Sequence, residues 1–93
     1  METPEHVIQT ECFLDDVRAE LIAAQTKFPD SVLSLAALME EVGELAQAML
    51  KVHAGKWPKE RIREEAVQVA VMAMRVALEG DRSFEGVGYS ENN

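Results

Sequence analysis

Ninety-three residues with 17 acidic and 9 basic side chains, a net charge of −8, describe one small acidic domain. A chain of this size buries only about 60–65% of its unfolded surface, so a partner or a bound metal commonly supplements its core. The charge balance excludes binding to nucleic-acid polymers, which requires a basic surface that displaces counterions. No run approaches 18 uninterrupted apolar residues, so no membrane partner is expected. The single cysteine, Cys12, cannot form an internal disulfide or a zinc cluster, and Met1 to Thr10 is acidic and lacks the apolar run of a signal peptide. Together these features predict a reduced, cytoplasmic setting.

In chain order, the first predicted helix opens behind Thr3-Pro4, where threonine is a capping residue and proline suits a first turn. Val7, Ile8, Phe13, Leu14, Val17, Leu21, Ile22 and Ala24 recur at three- and four-residue spacing and form an amphipathic stripe that ends at Phe28-Pro29. Asp30-Ser31 offers a new N-cap, and a second helix is expected from about Val32 to His53. Gly55 is placed as its C-terminal stop. Trp57-Pro58 starts the third helix, from about Lys59 to Glu79, which Gly80 ends. Residues 1–80 therefore read as one all-α domain of helical hairpins, and residues 81–93, with Gly86, Gly88 and two asparagines, as a loop or flexible tail.

The third helix is apolar nearly all the way round from Ala66 to Leu78. Such a helix has to be covered on several sides. Two other helices supply limited cover, so the bundle is expected to be completed by oligomerisation into a homodimer or homotetramer. Ala70, Ala73 and Ala77 would allow close approach.

The chemistry is concentrated in Leu38-Met39-Glu40-Glu41-Val42-Gly43-Glu44-Leu45. At 100° per residue, Glu40, Glu41 and Glu44 share an arc of about 100° on one face. No Lys or Arg stands at pairing distance within the segment; the next base is Lys51. Like charges this close destabilise a helix by a few tenths of a kcal/mol per exposed pair, a penalty that a hard divalent cation with oxygen ligands would offset. Most Glu-Glu-x-x-Glu segments are solvated faces. Gly43 adds weight here, because glycine in mid-helix costs about 1 kcal/mol against alanine and suits a close approach by a ligand or another backbone. The third helix contributes Glu64-Glu65 at the edge of its apolar run, with Gln68 one turn on.

Leu-Met-Glu-Glu-Val-Gly-Glu-Leu-Ala-Gln-Ala resembles the first signature of the all-α nucleotide pyrophosphohydrolases, the superfamily of MazG, the dimeric dUTPases and phosphoribosyl-ATP pyrophosphohydrolase. Lys27-Phe28-Pro29 resembles the usual lead-in, and Glu-Glu-Ala-Val-Gln-Val-Ala-Val-Met-Ala stands where the second motif, Glu-x-x-Asp, is expected. The resemblance covers roughly residues 18–79. It departs from the family pattern at Gln68, which replaces the second-motif aspartate with an uncharged carboxamide.

The resemblance implies a MazG-like nucleoside triphosphate pyrophosphohydrolase that cleaves NTP or dNTP to the monophosphate and pyrophosphate. Mg2+, with Mn2+ as a substitute, would be held by Glu40, Glu41, Glu44 and Glu65, with Gln68 as an auxiliary ligand and Glu41 or Glu44 as the group acting on water. The alternative is a catalytically weak or inactive helical oligomerisation or regulatory module, which Gln68 favours. Lys56 and Lys59, with Lys51 and Arg61, form a basic connection suited to phosphate or to solvent. Trp57 is suited to stacking on a base or to plugging the bundle end. Arg75 interrupts the apolar run and is set either to meet a phosphate of the nucleotide substrate or to form a structural salt bridge.

Overall fold

The computed structural model describes residues 2–29 and 34–80. These residues form three helices and no strand: α1 (Glu5–Lys27), α2 (Ser34–His53) and α3 (Glu60–Glu79). The helices agree with the periodicity to within two residues at each end. The expected cap at Thr3 does not form. Pro4 occupies the N-cap position without a side-chain hydrogen bond, and its carbonyl accepts the amides of Val7 and Ile8 at 3.0 and 3.2 Å. Asp30-Ser31 and the tail from 81 to 93 lie outside the described residues.

Both expected glycine stops adopt the left-handed backbone that frees a chain from a helix, Gly55 at φ 74° and Gly80 at φ 76°. Gly55 donates to the Val52 carbonyl and Gly80 to that of Val76, each at 3.0 Å. The chain therefore turns within the six residues between α2 and α3, and the two helices lie against one another as a hairpin.

α3 is the central element. It packs against α2 and against α1, while α1 and α2 do not pack on each other. Between α1 and α3 lies the apolar core of Val17, Leu21, Val67 and Val71, flanked by the half-buried Phe13, Ala24 and Ala70. Each fully buried side chain of this kind stabilises the fold by roughly 1.5–3 kcal/mol. The cover that the all-round apolar helix demands thus comes on two sides from the chain's own α1 and α2. The apolar part of α3 left open is one face of its C-terminal half, at Ala73, Met74, Ala77 and Leu78.

The end of α1 is held from α3 by Arg75. This side chain is buried, its guanidinium paired with Glu79 one turn on, with nitrogen–oxygen distances of 2.8 Å to both carboxylate oxygens. It also donates to the carbonyls of Phe28 at 2.5 Å and Ala24 at 3.4 Å. They stand at the C-terminus of α1, where positive charge meets the negative end of the helix dipole; the Ala24 carbonyl also accepts the Phe28 amide at 2.7 Å. Gln25 adds a 3.3 Å hydrogen bond to Glu79. The Glu79 carboxyl is held below its ordinary value by the Arg75 hydrogen bonds. Of the two roles open to Arg75, the structure places it in the salt bridge.

Candidate metal centre

The buried and half-buried residues of α2 are Ser34, Ala37, Leu38, Glu41, Leu45, Ala48 and Val52, apart from Lys51 at its C-terminal turn. Their spacing of three and four marks one face, and α3 is the element that packs on α2. A glutamate stands in the middle of that otherwise small and apolar row. Glu44, one position round the helix and exposed, borders it, and Glu65 rises from the first turns of α3 to meet both.

Glu41, Glu44 and Glu65 each place a carboxylate oxygen within 4.8 Å of the others. Burial pushes the Glu41 carboxyl up from 4.5 to about 7; the neighbouring Glu44 adds to this, then Glu65, then Glu40. Glu41 Oε2 is buried and has no hydrogen-bond partner. A buried acceptor without a partner costs about 1–3 kcal/mol, so this oxygen requires either a proton or a ligand.

Positive charge approaches from one direction. Arg61 reaches Glu65 at 3.5 Å and Glu64 at 3.3 Å, both along α3. The Arg61 guanidinium also lies over the Trp57 ring, 4.5 Å from its centroid, and Lys51 Nζ lies 5.3 Å from the same ring. Trp57 is half-buried between two cations at the hairpin turn, and so belongs to the end of the bundle. Lys56 and Lys59 are exposed in that turn.

Three of the sequence-derived ligands therefore converge, Glu41, Glu44 and Glu65. Glu40 is exposed and acts on the group through its charge alone, outside the converging set. Gln68 turns its amide towards α1, where it donates to Glu20 at 3.3 Å. It lines a shallow crevice with Asp16, Glu20, Arg63 and Glu64, and Arg63 closes on Asp16 at 2.6 Å. Arg61, read from the sequence as part of the basic connection, pairs with Glu65, a partnership its i, i+4 spacing could have revealed. Asp16 and Glu20 had no such signal, because their partners lie 47 and 48 residues away.

The donor set fits a hard divalent cation. All three ligands are oxygen, two helices contribute, and one buried oxygen has no partner of its own. No family model matches the chain, and no curated protein or solved structure shows significant similarity to it.

Proposed function

We propose that this chain is a magnesium-dependent nucleoside triphosphate pyrophosphohydrolase, cleaving NTP or dNTP between the α- and β-phosphorus to give the monophosphate and pyrophosphate. The observation that supports it is the convergence of Glu41, Glu44 and Glu65 from two helices around an unpartnered buried oxygen. The resemblance of the α2 segment to the all-α pyrophosphohydrolase signature supplies the reaction class.

In this reading Glu41, Glu44 and Glu65 hold the ion, and manganese substitutes for magnesium. Bound there, the ion neutralises phosphoryl charge and lowers the pKa of a coordinated water. Glu41 and Glu44 stand together, one half-buried and one exposed, so one can hold the ion while the other orients water or takes its proton. Arg61 pairs with the Glu65 carboxylate at 3.5 Å and helps to hold it in place. Lys56 and Lys59, exposed in the neighbouring turn, complement phosphate charge. Trp57 keeps that turn in place through its stacking with Arg61 and Lys51.

The test is pyrophosphate release from a panel of ribo- and deoxynucleoside triphosphates, with magnesium, with manganese and with chelator. Metal-dependent appearance of pyrophosphate and monophosphate in equal amounts is expected. Silence across the panel with both metals would overturn the activity.

The hydrogen bond from Gln68 to Glu20 favours a second reading, a helical module that is catalytically weak or inactive. With its amide engaged on the α1 side, Gln68 supplies neither the charge nor the basicity of an aspartate. A melting temperature that magnesium leaves unchanged, alongside a silent panel, would select this reading.

A further inference from the structure

α1 and α2 each pack on α3 and not on one another, so a strip of α3 is left between them. Val67 and Val71 meet α1, while Glu65 meets the carboxylates of α2. At 100° per residue, Glu64, Gln68, Arg61 and Glu65 fall on an arc of about 100°, with Gln68 and Arg61 between the two contact faces. On the α1 side this strip runs into a crevice of about 230 Å³. Ala19 and the buried Val67 give the crevice apolar lining, and Glu20, Glu64 and Gln68 give it polar lining. The candidate metal centre stands one helical turn away, since Gln68 follows Glu65 by three residues.

The crevice is chemically unlike the metal centre beside it. Asp16 is taken by Arg63 at 2.6 Å and Glu64 by Arg61 at 3.3 Å. Among the described residues, its carboxylates do not converge as those of Glu41, Glu44 and Glu65 do. Glu20 has no cation; its neighbour is the Gln68 amide, which donates to Oε2 at 3.3 Å. An ionised carboxylate only accepts, and its two oxygens suit two adjacent donors. A carboxylate held by an amide beside an apolar patch suits a neutral polyol, whose hydroxyls donate to the acid while its C–H face meets alanine and valine. In a nucleotide that polyol is the ribose, with its vicinal 2′- and 3′-hydroxyls. The sugar is bonded to the α-phosphate through its 5′-oxygen. A phosphate held at the metal centre therefore brings it to Gln68, about one turn or roughly 5–6 Å along α3, and the base lies further out. The same arrangement accounts for an amide at position 68. A carboxylate there would set a like charge against Glu20, whereas the amide orients Glu20 without repulsion.

We infer that the crevice between α1 and α3 is a ribose subsite, in which Glu20 accepts hydrogen bonds from the 2′- and 3′-hydroxyls and Gln68 is the positioning residue that holds the Glu20 carboxylate for them. The inference rests on the hydrolysis proposed above, because the metal-held phosphates deliver the sugar. It narrows the substrates to ribonucleoside triphosphates. A deoxynucleotide would leave one oxygen of Glu20 without its donor.

Pyrophosphate release in magnesium should show kcat/KM about tenfold or more higher for ATP than for 2′-deoxy-ATP or 3′-deoxy-ATP, the scale of one hydrogen bond to a charged group. Most of the difference should lie in KM. Glu20→Ala should bring the ratio close to one, and Gln68→Met should lower it, with helical circular dichroism retained in both. Equal kcat/KM for the three nucleotides in the wild type, or a ratio that survives Glu20→Ala, would overturn the subsite and leave the hydrolysis standing. Calorimetric binding of AMP and 2′-deoxy-AMP in magnesium requires no turnover and separates the two failures. Tighter binding of AMP that is lost in Glu20→Ala, with no pyrophosphate released, would support the subsite and overturn the hydrolysis. Equal binding of the two monophosphates, or none, together with a silent turnover assay would overturn both.

Discussion

α3 has two seams of opposite character. Against α1 it meets valine and leucine, and the polar groups along that contact are paired: Arg63 with Asp16, Gln68 with Glu20, and Arg75 with Glu79 and two carbonyls. Against α2 it meets a row broken by Glu41, whose buried oxygen has no partner and whose neighbours are two more carboxylates. One seam holds the chain together. The other stores repulsion that only a proton or a cation relieves, and such unrelieved groups mark functional sites more often than structural ones.

The largest effect expected from breaking this contrast lies on the α2 side. Glu41→Gln or Glu44→Gln should lower metal-dependent pyrophosphate release at least 100-fold while leaving helical content unchanged. Wild-type turnover in either variant would show that the carboxylates have no part in the chemistry. On the α1 side, Arg75→Ala should lower stability by about 3 kcal/mol in urea denaturation, because it strands Glu79 and the Phe28 carbonyl. A loss below 1 kcal/mol would show that water replaces the guanidinium without difficulty.

The pH dependence sharpens the contrast further. The folded-state value of Glu41, about 7, lies above its ordinary 4.5, so between these values the folded chain holds a proton that the unfolded chain has released. In chelator, wild-type stability should therefore fall as pH rises from about 4.5 to about 7, and this slope should be absent in Glu41→Gln. Glu79 acts in the opposite sense. Its lowered value makes its contribution present above 4.5 and lost as pH falls below it, outside the Glu41 window. Magnesium should restore stability above pH 7 in the wild type and leave Glu41→Gln much less changed. The smallest effect belongs to Arg63→Ala, where both partners are about half exposed and the expected loss is below about 1 kcal/mol.

The helices and the turn at Gly55 were legible because they follow from local periodicity and from glycine's access to positive φ. Glu41, Glu44 and Glu65 could be found for a related reason: two are neighbours on one helix, and the third stands at the start of the next element of a hairpin. Two side-chain partnerships were hidden by distance in the sequence. Arg75 was balanced between ligand and salt bridge because two of its partners, Ala24 and Phe28, precede it by 51 and 47 residues. Gln68 entered as an auxiliary ligand through the resemblance alone, and nothing in the local pattern reveals that Glu20 lies across from it. α1 and α2 cover α3 on two sides, and Ala73, Met74, Ala77 and Leu78 stay exposed.

The reach of Arg75 back to Ala24 and Phe28 bears on the order in which the molecule assembles. α1 is the first helix to be synthesised, yet the guanidinium that meets the Ala24 and Phe28 carbonyls at its end is supplied near the end of α3. The hairpin of α2 and α3 closes over a six-residue turn and needs nothing from upstream, so it is expected to form early. α1 then waits, frayed at its C-terminal turn, until α3 is complete and the guanidinium arrives. Pulse-labelled hydrogen exchange during refolding should accordingly show the amides of Ala48 and Val71 protected before those of Ala24 and Gln25, so that the first helix made is the last one finished.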